Sequence, residues 1–549
     1  MSAGLATGRF CAQVDLRQRP SSSVWIDSRQ HDEAAAREAW VAALGDAAHF
    51  AESLQGAFAA VVWDAAAERL VLVRDRFGEK PLYWTRTPDG IAFASEIKML
   101  RAAGMVPDAS VSPEAVDAYL SFTYIPAPST IHQKVQKVPA GHCIIFNVRA
   151  GVAVAPESLR YFTLPDRSRQ RATPADMLER LSEGLRRRLP ASGPIAAFLS
   201  GGLDSSLVVA LLAREGFRRL PVFSAGFADE RLDESEHALR IARLVEAEHH
   251  LIRLTDVDPD LVGRVIFQLD EPMADAACIP TWLLSQEASR AAPVIFTGDA
   301  ADALLVGDHW FRRMHRLDHL ERLPRLARAL LPTRKLRHLA ALADLPPAAR
   351  YLRIRQKWTP AERAAIYAPD FRRRLDATAA DASYLAAPVE WKRGGSVEAA
   401  VRLDSIHGLP EDLLMKSDKM ASAHGVECRS PFLEAAFAHW AGRIPVHQLL
   451  VRGRGKHLLR KAAEAILPRD LIYRRKQGFQ TPVARWLKGP LRALVEAAFE
   501  PVFVRQQGIF DPAALALLRK RFEDAAPSPA LAGQVWQIVC LQTWWRQIF

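Results

Sequence analysis

The chain has 549 residues, 49% of them apolar and 25% charged, and a net charge of +11. That length is too great for one hydrophobic core and predicts several domains, while the composition is that of a soluble globular protein. The five cysteines (Cys11, Cys143, Cys278, Cys428 and Cys540) are scattered without a Cys-x-x-Cys pair, which speaks against a disulfide framework or a zinc site and for a reducing cytoplasm.

No apolar run is long enough to cross a bilayer, and no basic segment followed by an apolar one opens the chain, so neither a membrane partner nor a signal peptide is expected. Much of the positive charge lies in the arginine-rich stretches Phe311–Arg337 and Arg350–Arg374. These read as solvated helix faces; a surface that attracts an acidic partner is the other reading. There is no basic stretch interleaved with aromatics and no zinc finger, so nucleic acid is not an expected partner.

In chain order, residues 1–165 read as β-rich. The apolar runs Phe58–Trp63 and Leu70–Arg74 flank a polar turn as in a hairpin, and Ile91–Ala94 and Cys143–Phe146 read as further strands. The two prolines of Tyr124-Ile-Pro-Ala-Pro-Ser-Thr130 bar a helix there. Polar Leu164–Thr173 reads as a linker. From residue 174 to the end, strands alternate with helices and then give way to helices. Strands are expected at Ile195–Leu199, Pro221–Ala225, His250–Leu254 and Pro293–Phe296, and helices at Met177–Leu189, Leu207–Glu215 and Glu234–Glu248. This alternation predicts an α/β domain with a parallel sheet covered on both faces, which binds ligands at the carboxyl ends of its strands.

Three segments fall at such ends: Leu199-Ser200-Gly201-Gly202, Ala225-Gly226 and Thr297-Gly298-Asp299. The first continues through Asp204, Ser205 and Ser206 into an apolar helix. A small-residue turn between strand and helix lets backbone N–H groups converge on an anion, aided by the helix dipole. It lacks the Gly-Lys-Ser/Thr ending of a Walker A loop and reads instead as the loop of enzymes that cut ATP between the α and β phosphates. Asp204 and Asp302, from two strand ends, suit a Mg²⁺ ion that bridges to phosphate, although Asp302 also fits a helix N-cap. Asp270-Glu-Pro-Met-Ala-Asp275 puts three carboxylates near the same crevice or in a solvated loop, and Lys416 and Lys419 share one side of a helix. Lys476, in a short basic loop, is the candidate cation for a pyrophosphate leaving group.

In combination these segments resemble the asparagine synthetase family of ATP-dependent amide-forming enzymes. The resemblance is carried by Ser200–Ser206, Asp270-Glu-Pro, Ile279-Pro-Thr, Gly408–Lys416, Ala423–Glu427, Pro431-Phe-Leu433 and Lys476-Gln-Gly-Phe479. In the first domain it is carried by Arg74–Gly78, Lys80–Tyr83 and Phe93–Lys98. It implies an Ntn-hydrolase-like sandwich over residues 1–165 and an ATP-pyrophosphatase domain with a helical C-terminal part over 174–549. The implied reaction adenylates a carboxylate, which an amine then attacks to give an amide, AMP and pyrophosphate.

The departures are as informative. The family begins Met-Cys-Gly and uses the freed cysteine to hydrolyse glutamine; this chain reads Met1-Ser-Ala-Gly4, and a Ser2 hydroxyl needs stronger activation than a thiol. The family's glutamine-binding segments are missing, so the first domain is expected to be a shortened, degenerate remnant. In the second domain Thr297-Gly-Asp-Ala-Ala-Asp-Ala303 has lost a glycine and a glutamate, which implies a changed, less acidic and more apolar acceptor pocket. Relatives without a working glutaminase include β-lactam synthetases and lasso-peptide macrolactam synthetases. By comparison with the β-lactam type, Asp299 and Glu411 are the expected base and its helper. The favoured substrate is a precursor peptide whose Asp or Glu side chain is joined to its N-terminal amine, with a leader-peptide protease as an accompanying partner. The alternatives are an ammonia-dependent or β-lactam-type small-molecule synthetase, a pyrophosphate-loop enzyme acting on tRNA, and a non-catalytic nucleotide-binding scaffold.

Overall fold

The structure, a computed structural model, describes residues 9–15, 23–27, 47–106, 110–149, 152–167, 171–324, 328, 333–375, 379–387, 389–391, 395–474, 481–524, 526 and 528–549. The first part is a two-layer antiparallel sandwich. One layer runs β1-β6-β5-β7, with β1 at Cys11–Asp15, β5 at Tyr83–Arg86, β6 at Gly90–Ala94 and β7 at Val135–Lys137. The other runs β10-β8-β4-β3-β2, with β2 at Ser23–Asp27, β3 at Ala59–Asp64, β4 at Arg69–Arg74, β8 at His142–Arg149 and β10 at Glu157–Arg160; β9 (Val152–Ala153) pairs with β8.

The expected hairpin is present: β3 and β4 pair antiparallel from Ala59–Arg74 to Asp64–Arg69, and the Asp64 carboxylate accepts from the N–H groups of Ala66 and Ala67 in the turn. Side-chain alternation explains the layering. Val61, Trp63, Leu70 and Leu72 face Trp84, Ile91 and Phe93 of the other sheet. Ala60, Val62, Val71 and Val73 point the opposite way, onto Phe50, Leu54 and Phe58.

The second part is built on five parallel strands in the order β13-β12-β11-β14-β15. These are β11 (Ile195–Phe198), β12 (Pro221–Phe227), β13 (Glu248–Leu254), β14 (Val294–Phe296) and β15 (Glu427–Arg429). The chain moves outward from β11 through β12 to β13, then returns to the other side of β11 with β14. The switch point therefore lies between β11 and β14, where such sheets open a crevice. Strand β15 falls in a stretch that reads as mostly helical in sequence. It is only three residues long, and its partner β14 comes from far back in the chain, with Val294 opposite Glu427.

The last helix, Pro529–Ile548, returns to the middle of the molecule. The Tyr119 hydroxyl donates to the Gln537 carbonyl at 2.7 Å, and the Gln537 amide donates back to the Tyr119 and Leu120 carbonyls. Among the described residues no helix is long and apolar enough to cross a membrane.

Two of the arginines expected on solvated faces are buried. Arg350 is 1% exposed and paired with Asp318 and Glu321; Arg363, also 1% exposed, is paired with Asp117. The junction between the two parts is also ionic. Arg74 pairs with Glu411 at 2.7 Å, Lys137 with Glu411 at 3.1 Å and with Glu271 at 2.5 Å, and Arg188 with Glu79 at 2.6 Å. Asp418 accepts from Arg9 at 2.5 Å and from Lys80 at 3.0 Å. Each of these side chains is under 10% exposed. Charges buried to that degree persist only when paired, so each of these groups depends on its partner across the junction.

Candidate active site

A cavity of about 910 Å³ opens at the carboxyl ends of β11, β12 and β14. Its lining includes Leu199, Ser200, Gly202, Asp204, Ser205, Ala225, Thr297, Gly298, Asp299 and Asp302, so the three expected strand ends do meet. The helix after β11 begins at Leu203, a turn earlier than expected, which places Asp204 in its first turn. The Ser205 hydroxyl folds back to accept from the Ser200 N–H at 3.1 Å, and the Ser200 hydroxyl accepts from the Gly202 N–H at 3.3 Å. The loop is thereby closed into a compact turn.

Gly298 has to be glycine for this meeting. A Cβ there would lie 2.7 Å from the Ser205 nitrogen and 2.8 Å from the Asp204 Cβ. Two residues expected at the nucleotide lie outside the cavity lining. Gly201, at φ +71, sits where a Cβ would meet the Ala238 nitrogen at 2.9 Å and the Glu234 carbonyl at 3.0 Å, and its own carbonyl accepts from Arg474. Ser206, one residue further along the helix than Ser205, is rotated away from the cavity and is 3% exposed.

Asp204 and Asp302 converge as expected, and the group between them is Lys456. Its Nζ donates to Asp204 at 2.5 Å and lies 2.7 Å from Asp302. Burial alone would lower the lysine's pKa, but the two carboxylates outweigh it and hold the pKa above the ordinary value. One ammonium touching both carboxylates means that their oxygens are spaced to share a cation. An all-oxygen pair open to a cavity is the donor set that Mg²⁺ takes alongside phosphate. No group of three or more His, Cys, Asp or Glu residues suited to a metal is found among the described residues. A divalent ion here would therefore draw its remaining ligands from phosphate and water.

Arg460 and Arg474 line the same cavity. Lys476 and Ser2 lie outside the described residues. Sequence reasoning missed Lys456: it sits in Gly453-Arg-Gly-Lys456, far from either aspartate in the chain, and the only local cue is the glycine pair. Gly455 is tightly confined, since a Cβ there would meet the Val306 carbonyl at 2.0 Å.

Asp299 lines the cavity. Its carboxylate accepts from the Ser417 hydroxyl at 2.8 Å and its carbonyl from the Ser430 hydroxyl at 2.7 Å. Ala300 stands at φ +69, a conformation that favours glycine. The turn therefore keeps a left-handed shape although it carries an alanine.

Glu411 requires a correction. It is 1% exposed, lies outside the cavity lining and is held by Arg74 and Lys137 at the junction. Burial would raise its carboxyl, but those two cations outweigh it and keep the pKa below the ordinary range, and its place at the junction takes it away from an amine bound in the cavity. The reason is local geometry. Residues Leu409–Leu414 form a π-helical turn, which sends Glu411 to the junction and its neighbour Asp412 to the cavity. Asp270 and Glu271 likewise belong to the junction, with Asp270 accepting from Lys419 and Lys98; of that segment's three carboxylates Asp275 lines the cavity, where Lys416 donates to it at 2.6 Å.

The expected apolar acceptor pocket is also corrected. Ala300 and Ala303 line the cavity and Ala301 is in the core, while the remaining wall carries Arg312, Arg355, Lys357, Asp412 and Lys416 beside Trp310 and Phe122.

A parallel α/β sheet with a compact small-residue turn, paired carboxylates and cations at its switch point is the arrangement of a nucleotide-dependent enzyme class, here fused to a β-sandwich. A family model described as asparagine synthase matches residues 176–546, and one described as a glutamine amidotransferase domain matches residues 38–155. The chain belongs to the asparagine synthase family, and its first domain is similar to a glutamine amidotransferase domain. It is 27% identical to asparagine synthetase [glutamine-hydrolyzing] 1 of Bacillus subtilis, over 90% of this chain and 78% of that one. It is 28% identical to a putative asparagine synthetase of Mycobacterium bovis, over 90% and 76% of the two chains. It is 24% identical to amidase chry2 of Gibberella zeae, over 84% and 75%. The chain is thus a C–N bond-forming ligase of the asparagine synthetase type.

Proposed function

We propose that this chain adenylates a carboxylate with ATP and joins it to an amine already carried by a peptide substrate, without hydrolysing glutamine. A carboxylate oxygen attacks the α-phosphorus, pyrophosphate leaves, and the amine nitrogen displaces AMP from the acyl carbon. The observation that carries the ATP step is the Asp204–Lys456–Asp302 bridge at the closed Ser200–Ser205 turn. Asp204 and Asp302 would hold Mg²⁺, which when bound neutralises phosphate charge. Lys456, Arg460 and Arg474 supply positive charge for the triphosphate and the departing pyrophosphate, and Lys476 is proposed to join them.

Two observations support the absence of glutamine hydrolysis. The cysteines of the first domain, Cys11 and Cys143, are both buried, and burial raises their thiols, Cys143 to about 12, which leaves them inert. Among the described residues, the junction between the two parts is occupied by the buried ion pairs of Glu411 with Arg74 and Lys137 and of Glu271 with Lys137. A peptide brings its own amine at high effective concentration, so no supply of ammonia is needed. The arginines and lysines of the cavity wall would meet backbone carbonyls and acidic side chains of such a peptide.

The test is to incubate the enzyme with ATP, Mg²⁺ and synthetic peptides bearing an Asp or Glu several residues from the N-terminus. AMP, pyrophosphate and a peptide lighter by one water are expected, and all are lost in Asp204→Ala. Production of ADP and phosphate would refute the adenylation. Efficient amidation of free aspartate by ammonia, with no peptide reaction, would favour a small-molecule synthetase. Glutamate release from glutamine would show a working first domain. No turnover of ATP with any of these would favour a nucleotide-binding scaffold.

A further inference from the structure

We infer that Asp412 is the base that takes the proton from the incoming amine. This rests on the proposed amide-forming reaction and assigns a role that neither Glu411 nor Asp299 fills. Three observations carry it. Asp412 lines the same cavity as the Ser200–Ser205 turn and Asp299. One of its carboxylate oxygens, Oδ1, is buried without a hydrogen-bond partner among the described residues. The π-helical turn Leu409–Leu414 fixes its direction, because the neighbouring Glu411 is anchored at the junction by Arg74 and Lys137. By contrast, Asp299 has its carboxylate engaged by Ser417 and Asp275 has its carboxylate engaged by Lys416.

The surroundings tune the group for the task. Burial and the nearby Asp275 carboxylate push the Asp412 carboxyl up to about 6, against the opposing pull of Lys416, Arg355 and Lys357. Tyr124 and Cys278 are the other titratable neighbours; burial raises both well above their ordinary values, so they remain neutral when Asp412 titrates. A carboxylate poised just below neutral pH is mostly ionised at pH 7, yet is a stronger base than an ordinary aspartate.

The step balances without a further reagent. The Asp412 carboxylate accepts a proton from the substrate ammonium, and the freed nitrogen lone pair forms the C–N bond. The acyl C–O bond to AMP breaks with its electron pair on the phosphate oxygen. The second nitrogen proton leaves to solvent, and Asp412 returns its proton to water.

The experiment compares wild type, Asp412→Asn and Asp412→Glu with ATP, Mg²⁺ and the synthetic peptides above, L-aspartate serving as a second carboxylate probe. Pyrophosphate formed in a single turnover and amide product are read separately, and hydroxylamine is offered as an alternative nucleophile. Hydroxylamine is largely neutral at pH 7 and needs no base. D412N is expected to form pyrophosphate within a few-fold of wild type and hydroxamate at a near wild-type rate, but to make amide on the order of 10²–10⁴ more slowly. D412E should recover part of the amide rate. In wild type, single-turnover acyl transfer should rise with pH through about 6, and that limb should vanish in D412N. A D412N enzyme that makes amide at the wild-type rate, or one that loses pyrophosphate and hydroxamate formation equally, overturns the assignment. Wild type that releases no pyrophosphate with any probe overturns the proposed function instead.

Discussion

Replacing Glu411 separates a structural role from a catalytic one. Its carboxylate accepts from Arg74 at 2.7 Å and Lys137 at 3.1 Å, and all three groups are nearly inaccessible. Removing one member of a buried ion pair typically costs about 3–5 kcal/mol, because the partner charge is left uncompensated. Here the low end applies. Arg74 also donates to the carbonyls of Gly78, Lys80 and Val138, and Lys137 keeps Glu271 and the Ile125 carbonyl. Glu411→Ala should therefore destabilise by about 3 kcal/mol, and Glu411→Gln, which keeps the shape and one acceptor, by somewhat less. At ~2.1 cal/mol/K per residue, a cooperative unit spanning the matched residues 176–546 has an unfolding entropy of about 0.8 kcal/mol/K, so 3 kcal/mol lowers Tm by about 4 °C. The assay pairs scanning calorimetry with pyrophosphate release per folded molecule. A lower Tm with turnover within about threefold of wild type is expected. An unchanged Tm with turnover down a hundredfold would refute the structural reading and return Glu411 to the chemistry.

Three further outcomes are expected. Lys456→Met leaves Asp204 and Asp302 facing each other without their shared cation, so in EDTA it should be less stable by about 1–3 kcal/mol, with much of that recovered on adding Mg²⁺ and ATP; equal thermal stability in EDTA would contradict the bridge. Ala300→Gly relieves a left-handed alanine at φ +69 and should be neutral to stabilising by up to about 1 kcal/mol, read from the urea midpoint; a loss of 2 kcal/mol would mean that the methyl group packs productively. Burial pushes the His132 and His407 imidazoles down to about 4. The unfolded chain takes up these protons near pH 6.5 and the folded one does not until about pH 4. Stability should therefore fall as pH drops through that window, by up to about 3 kcal/mol per histidine. His407→Gln should flatten the dependence of the urea midpoint on pH, and an unchanged slope would count against it.

Much of this protein was legible in its sequence. Apolar runs of strand length, ended by small residues, located β11, β12, β13 and β14 and the β3–β4 hairpin, because the period of burial is a local property of the chain. The Ser200–Ser205 turn was legible for the same reason: the strand, turn and helix that make it are contiguous. The meeting of Asp204 and Asp302 was legible because each follows its own strand and parallel strands deliver their ends to one edge. Other features were decided by segments distant in the chain. The cation between the two aspartates comes from Lys456. Strand β15 exists only because β14 offers it an edge. The alternation at Glu411-Asp412 is ambiguous in sequence, since either carboxylate could face a ligand. A π-helical turn and two cations from the first domain settle it, placing Glu411 in the junction and Asp412 in the cavity. Local pattern fixes which residues form an element; which side chain of that element meets solvent, ligand or counter-charge depends on partners brought by the tertiary fold.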